Sequence, residues 1–188
     1  MGKLVYSMIT SVDGYVSDPA GGFEWAGREE VHRFVNEASR AFGTYLVGRR
    51  MYEVMSYWET AHLEPGQPDV ALEYARIWQA ADKVVYSTTL ETVGTARTRL
   101  ERTFDPDAVR ALKERSERDL TVDGPTLAAH ALRAGLVDEV QLYVGPAVVG
   151  GGLRFFPDGV RSRLELLDEQ RLAGDVLFLR YALPTLAA

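Results

Sequence analysis

Asp123-Gly124-Pro125-Thr126 follows a short apolar run, Leu120 to Val122, and precedes a helical pattern from Thr126 to Ala134. A strand that turns through glycine into a helix leaves backbone N–H groups unpaired at the helix start. Those groups and the helix dipole together form a seat for phosphate. Three other apolar runs end on residues of similar use: Ser11-Val12-Asp13-Gly14 after Lys3–Thr10, Gly48-Arg49-Arg50 after Thr44–Val47, and Ser87-Thr88-Thr89 after Lys83. Gly48 and Gly124 let backbone approach a ligand closely. Arg49 and Arg50 supply charge-assisted bonds to phosphate, and Ser87 and Thr88 offer hydroxyls of the kind that recognise a ribose phosphate. A Gly-Arg pair at a helix start also serves as a plain cap with a solvated charge. In open α/β sheets, however, ligands bind outside the carboxyl ends of the strands, and four such ends in one chain predict a nucleotide site.

Other chemistries are excluded or unsupported. The chain has no Walker P-loop and no GxGxxG; Gly150-Gly151-Gly152 runs on into Leu153-Arg154-Phe155-Phe156 with no helical pattern, so it is not a dinucleotide fingerprint. It reads as a turn needing positive φ, or as a loop lining a ligand or a subunit contact. Cysteine is absent, which removes disulfides, thiol catalysis and cysteine-based metal sites. His32, His62 and His130 have no ligand-spaced companions, so no metal is expected. The formal net charge is −6, with no basic cluster to form a nucleic-acid surface.

The elements that must position these residues follow from periodicity. Helical spacing marks Arg28–Phe42, a helix opening at Arg49 and running to Met55, Asp69–Ala81, and a charged helix that Asp105-Pro106 starts and that runs to about Arg118. Strands fall at Lys3–Thr10, Thr44–Val47, Lys83–Ser87, Thr98–Arg102, Leu120–Val122 and Val137–Val144. Leu164–Arg171 and Asp175–Leu183, joined at Ala173-Gly174, read as an antiparallel hairpin. Tyr15–Gly27 reads as a flexible loop. The order predicts an α/β domain with a mainly parallel sheet and an antiparallel edge. At 188 residues, 46% hydrophobic and 26% charged, the chain suits one domain with a substantial core, spanning residues 1–188. No apolar run approaches the ~18 residues of a membrane span. The first residues lack the long apolar region of a secretion signal, so a cytoplasmic protein is expected.

The ordered set of motifs resembles the dihydrofolate reductase-like superfamily, in particular the C-terminal reductase domain of the bacterial riboflavin-biosynthesis deaminase/reductase. The matching pieces are Ser11-Val12-Asp13-Gly14, Leu46-Val47-Gly48-Arg49-Arg50-Met51-Tyr52-Glu53, Gly124-Pro125-Thr126-Leu127-Ala128, Ala134-Gly135-Leu136-Val137-Asp138-Glu139 and Pro146 to Gly152. The resemblance implies a three-layer fold with a mainly parallel central sheet and an antiparallel C-terminal hairpin. It also implies an NADPH-dependent reductase of a small pyrimidine- or pterin-type heterocycle, 5-amino-6-(5-phosphoribosylamino)uracil reductase-like, working as a homodimer. Gly48, Arg49, Arg50 and Met51 would then meet cofactor phosphates. Ser87 and Thr88, with Thr89 beside them, would approach the adenosine 2′-phosphate. Gly124, Pro125, Thr126 and Leu127 would meet the pyrophosphate. Thr10, Ser11 and Asp13 would lie near the nicotinamide and substrate.

Asp13 then orients substrate or relays a proton, or else caps the turn before Gly14. Phe23 and Trp25 are placed to form a lid over the substrate. Asp123 stands where the family often has another glycine; a carboxylate beside a pyrophosphate weakens binding unless it faces away or is hydrogen-bonded. No carboxylate on the first helix is in register to grip a pterin, so folate is not expected. The apolar strand Val140–Val149 and the glycines after it are the candidate dimer interface. Two other classes remain: a non-catalytic nucleotide-binding or sensing protein that retains the fold, and a structural dimerisation module with an empty cleft.

Overall fold

The computed structural model describes residues 1–23, 25 and 27–184. Its frame is an eight-stranded sheet built from β1 (Leu4–Ser11), β3 (Phe42–Gly48), β4 (Asp82–Tyr86), β5 (Thr98–Glu101), β6 (Asp119–Asp123), β7 (Glu139–Gly145), β9 (Glu165–Arg171) and β10 (Leu177–Ala182). The spatial order is β5-β4-β3-β6-β1-β7-β10-β9. The first six strands in that order run parallel. The C-terminal hairpin adds β10 and β9 antiparallel to the β7 edge. The chain passes from β1 to β3, goes out to β5, and returns to insert β6 between β3 and β1. That reversal is the topological switch at which such sheets hold ligands.

Strand alternation sorts the two faces. Leu4, Tyr6, Leu46, Leu120, Val122 and Val140 point to one face. There they bury against Val109 and Leu112 of α4 (Pro106–Arg115) and Leu127, Ala128 and Ala131 of α5 (Pro125–Arg133). Val5, Tyr45, Val47 and Val85 point to the other face, against Trp78 of α3 (Asp69–Ala80) and Tyr52 of α2 (Arg49–Met55). On the same side, Val31, Phe34 and Val35 of α1 (Glu29–Ser39) cover Ile9, Tyr143 and Phe178. The result is the expected three-layer α/β/α arrangement with an antiparallel C-terminal hairpin.

Local chemistry explains the helix starts. The Asp105 side chain accepts the Asp107 amide at 2.9 Å, and Pro106 fills the first helical turn of α4. Glu29 and Glu30 occupy the first turn of α1, where the helix dipole favours acids.

Three readings change. Phe42 belongs to β3, not to the first helix, because its ring is 3% exposed and packs edge-on to Tyr45 across 6.3 Å. The loop after β1 holds a short strand, β2 (Tyr15–Ser17), paired with β8 (Leu153–Arg154). The β7 half of the expected dimer interface is internal: β1 and β10 close both edges of β7, and Val140 and Tyr143 are buried, whereas Val148 and Gly150 beyond the strand stay exposed. The exposed sheet margin on that side is β9, with Leu166 and Leu167 open.

Candidate functional site

The carboxyl ends of β3, β4, β6 and β1 lie side by side, and most of the residues singled out above gather there. Val47 and Asp123 are register partners, so the turns that follow them, Gly48 and Gly124, are neighbours. Gly124 has φ 93°, a left-handed value that favours glycine, and a Cβ there would stand 3.4 Å from the Met51 Cβ. Gly48 faces Leu127, whose Cβ would be 3.8 Å from a Cβ added to it. The first turns of α2 and α5 therefore meet over the strand ends. Among the described residues no side-chain hydrogen bond caps α5, so its first amides have no intrahelical partner.

The β4 end supplies hydroxyls and a guanidinium. The Arg49 Nη1 donates to Thr89 Oγ1 at 3.0 Å, and Arg49 Nε pairs with Glu53 at 3.2 Å on the exposed flank. Ser87 Oγ accepts the amides of Thr89 at 3.2 Å and Leu90 at 3.0 Å, a local turn that presents Thr88 at its tip. Arg102 escaped the sequence reading. Its Nη1 donates to the Ser87 carbonyl at 3.2 Å and also reaches the Leu90 carbonyl. Arg102 follows β5, and only the parallel pairing of β5 with β4 brings it to this loop. Two arginines and a hydroxyl-bearing turn thus share one corner. Tyr52 supports it from below, its hydroxyl accepting the amides of Gly94 at 3.0 Å and Thr95 at 3.2 Å. Arg50 and Thr126 are exposed beside the cradle.

The β1 end is organised by Asp13. Ser11 Oγ donates to Asp13 Oδ1 at 2.7 Å, and the amides of Gly150 and Val149 donate at 2.8 and 3.2 Å. The Ser11 hydroxyl, followed by those two amides, holds the carboxyl below the usual aspartate range despite some opposing desolvation. With these three donors the Asp13 carboxyl clamps the β1 turn to the glycine loop. Thr10 Oγ1 stays internal, donating to the carbonyls of Ser11 and Tyr15 at 3.2 Å. The triple glycine has its positive-φ role: Gly152 sits at φ 118° with the Ser17 carbonyl oxygen 2.0 Å from where a Cβ would be. Trp25 packs on the end of β7, against Gly145, while Phe23 is 47% exposed.

Asp123 faces away from the α5 turn. It shares a face of β6 with Thr121, whose Oγ1 donates to its Oδ1 at 2.7 Å. Burial pushes the carboxyl up to about 7, with the Thr121 hydrogen bond acting in the opposite direction. The carboxylate that would have opposed a pyrophosphate is both turned aside and hydrogen-bonded.

His32 lies between Trp58 and Tyr74, with ring centroids 5.6 and 5.7 Å away, and burial lowers its pKa. Among the described residues, no group of three or more His, Asp or Glu side chains could hold a metal ion. No helix there is long and apolar enough to cross a membrane.

The family model for the RibD C-terminal domain matches residues 2–178. The chain is 23% identical over 165 residues to the uncharacterized protein YyaP of Bacillus subtilis, covering 87% of this chain and 85% of that one. It is 28% identical over 154 residues to the riboflavin biosynthesis protein RibD of Mycobacterium tuberculosis, covering 79% of this chain. The match spans 43% of that relative's length. The crystal structure of a diaminohydroxyphosphoribosylaminopyrimidine deaminase/5-amino-6-(5-phosphoribosylamino)uracil reductase from Thermotoga maritima superposes with a TM-score of 0.67 at 15% identity. It covers 97% of this chain and 56% of that chain.

Proposed function

This chain belongs to the RibD C-terminal domain family, and from that premise we propose that it is an NADPH-dependent reductase of a small heterocycle related to 5-amino-6-(5-phosphoribosylamino)uracil. One observation carries the reading: the ends of β3, β4 and β6 bring Arg49, the Ser87–Thr89 turn and the uncapped start of α5 into one cradle. The two glycines leave room for a pyrophosphate over Gly48 and Gly124. Arg49 and Arg102 offer charge to a 2′-phosphate at the Thr88 tip, the feature that separates NADPH from NADH. The residues present therefore fit the cofactor.

When bound, the cofactor supplies a hydride, and the protein supplies position and a proton. Thr126 and Leu127 amides orient the pyrophosphate. Asp13 fixes the glycine loop, and Trp25 packs beside it at the end of β7, so that both border the space beyond β1. Ser11 and Phe23 lie at the same end and are proposed to meet the substrate. The reading of a nucleotide-binding protein without turnover rested on Asp123 opposing the pyrophosphate, and that ground is removed by the direction of the side chain. The test is competitive binding of NADPH and NADH together with turnover of 5-amino-6-(5-phosphoribosylamino)uracil. NADPH-selective binding with consumption of that substrate supports the reading, and absence of NADPH binding ends it.

A further inference from the structure

We propose that Tyr52 is the positioning residue for cofactor selectivity: its hydroxyl holds the loop after β4 in the shape that sets Thr88 and Thr89 beside Arg49, and so in the shape that takes a 2′-phosphate. The proposal rests on the reductase reading above.

Tyr52 lies three residues after Arg49 in α2, so both side chains leave the same side of the helix. Arg49 reaches the near end of the loop, at Thr89, and Tyr52 reaches its far end. There the phenol oxygen accepts the amides of Gly94 at 3.0 Å and Thr95 at 3.2 Å, across 42 and 43 positions of sequence. Among the described residues, no other side chain accepts either amide. The Tyr52 ring is buried in the cluster that also holds Val47 and Val85 of the strands, with Leu90 and Val93 of the loop packed against it. Loop, helix and sheet therefore meet on this one side chain.

The direction of the remaining hydroxyl bonds follows from a fixed end. The Ala96 carbonyl can only accept, so Thr98 Oγ1 donates to it at 2.9 Å. Thr95 Oγ1 must then donate to Thr98 Oγ1 at 2.7 Å, and the Tyr52 hydroxyl to Thr95 Oγ1 at 3.2 Å. The phenol oxygen thus accepts two bonds and donates one, and the chain it starts runs through the first residue of β5. Arg97, just before that strand, sits at φ 54°, a left-handed value that a non-glycine residue keeps where its surroundings impose it. At the other end of β5, Arg102 holds the Ser87 and Leu90 carbonyls. The loop is pinned at both ends, and Tyr52 makes the pin on the α2 side.

NADPH differs from NADH only by the 2′-phosphate, which this reading sets against Arg49 and the Thr88 tip. The pyrophosphate seat over Gly48 and Gly124 does not use the far end of the loop. Loss of the Tyr52 hydroxyl therefore lets the loop leave the receptive shape for part of the time, and apparent affinity for a 2′-phosphate falls by the fraction lost. Affinity for a cofactor without that phosphate stays. By reciprocity, a bound 2′-phosphate tightens the bonds that Tyr52 makes.

The test uses the full chain, with NADPH, NADH, 2′,5′-ADP and 5′-AMP as calorimetric probes, in the wild type and in Tyr52→Phe, which keeps the buried ring. Tyr52→Phe is expected to weaken NADPH and 2′,5′-ADP about fivefold to tenfold, and NADH and 5′-AMP by less than about twofold. In the wild type alone, saturating 2′,5′-ADP should slow amide hydrogen exchange at Gly94 and Thr95 by about threefold or more, while 5′-AMP leaves it unchanged. Three results overturn the proposal and leave the reductase reading standing: unchanged NADPH preference in Tyr52→Phe, equal weakening of all four ligands, or exchange at those amides that answers both nucleotides alike. Wild-type binding of NADPH and NADH with equal affinity also overturns it. A wild type that binds neither NADPH nor 2′,5′-ADP overturns both readings.

Discussion

The Asp13 carboxylate accepts the Gly150 amide at 2.8 Å, joining residues 137 positions apart. This bond, with the one from Val149, ties the turn after β1 to the glycine loop after β7. The β2–β8 pair and the Phe155 amide, which donates to the Gly14 carbonyl at 3.0 Å, complete the same junction.

Asp13→Ala should therefore free the glycine loop without unfolding the sheet. Amide hydrogen exchange at Val149 and Gly150 is expected to rise roughly tenfold or more, with the exchange of β6 and β1 unchanged. The Asp13 pKa is depressed on folding, so its contribution is full above its ordinary value of 3.8 and is lost as pH falls through the lower folded value. Equal exchange in the two proteins would contradict the clamp.

Gly152 and Gly151 give a paired test. Gly152→Ala forces a Cβ into the Ser17 carbonyl at a backbone angle that L side chains rarely adopt. It should cost about 2–3 kcal/mol in urea unfolding. Gly151→Ala meets only Pro19 Cγ at 3.5 Å and should stay within about 0.5 kcal/mol.

Asp123 sets a pH dependence of stability that runs opposite to that of Asp13. Its folded pKa of about 7 lies above the ordinary 3.8, so between those values the folded chain binds more protons than the unfolded one. The neutral carboxyl carries no charge-burial penalty below about 4. Stability falls as pH rises from there through about 7, by an amount of up to roughly 4 kcal/mol. Urea midpoints from pH 4 to 8 should show that fall in the wild type and a flatter profile in Asp123→Asn. A parallel fall in the variant would place its origin elsewhere.

Much of this was legible in the sequence because it is local. Helix α4 announces itself through Asp105-Pro106, and the C-terminal hairpin through two strand patterns about Ala173-Gly174. Gly48, Arg49, Ser87 and Gly124 lie together because each follows an apolar run, and strand ends converge in a parallel sheet. What escaped depends on pairing between distant segments. The two-residue β8 has no periodicity to detect, and Arg102 reaches the Ser87 loop only through the β4–β5 register. The direction of Asp123 was readable: Leu120 and Val122 are apolar while Thr121 and Asp123 are polar, a period of two that puts the carboxyl opposite the α5 face. The apolar run Val140–Val149 suggested an interface, yet an apolar strand is also what a fully paired interior position requires.

The central claim is a cradle selective for NADPH, and the most direct measurement is titration of intrinsic tryptophan fluorescence with NADPH and NADH, using Arg49→Ala and Arg102→Ala as controls. The wild type should bind NADPH at least about tenfold more tightly than NADH, and each variant should lose most of that preference while binding NADH as before. Equal affinity for the two cofactors, or no binding of either, would contradict the account.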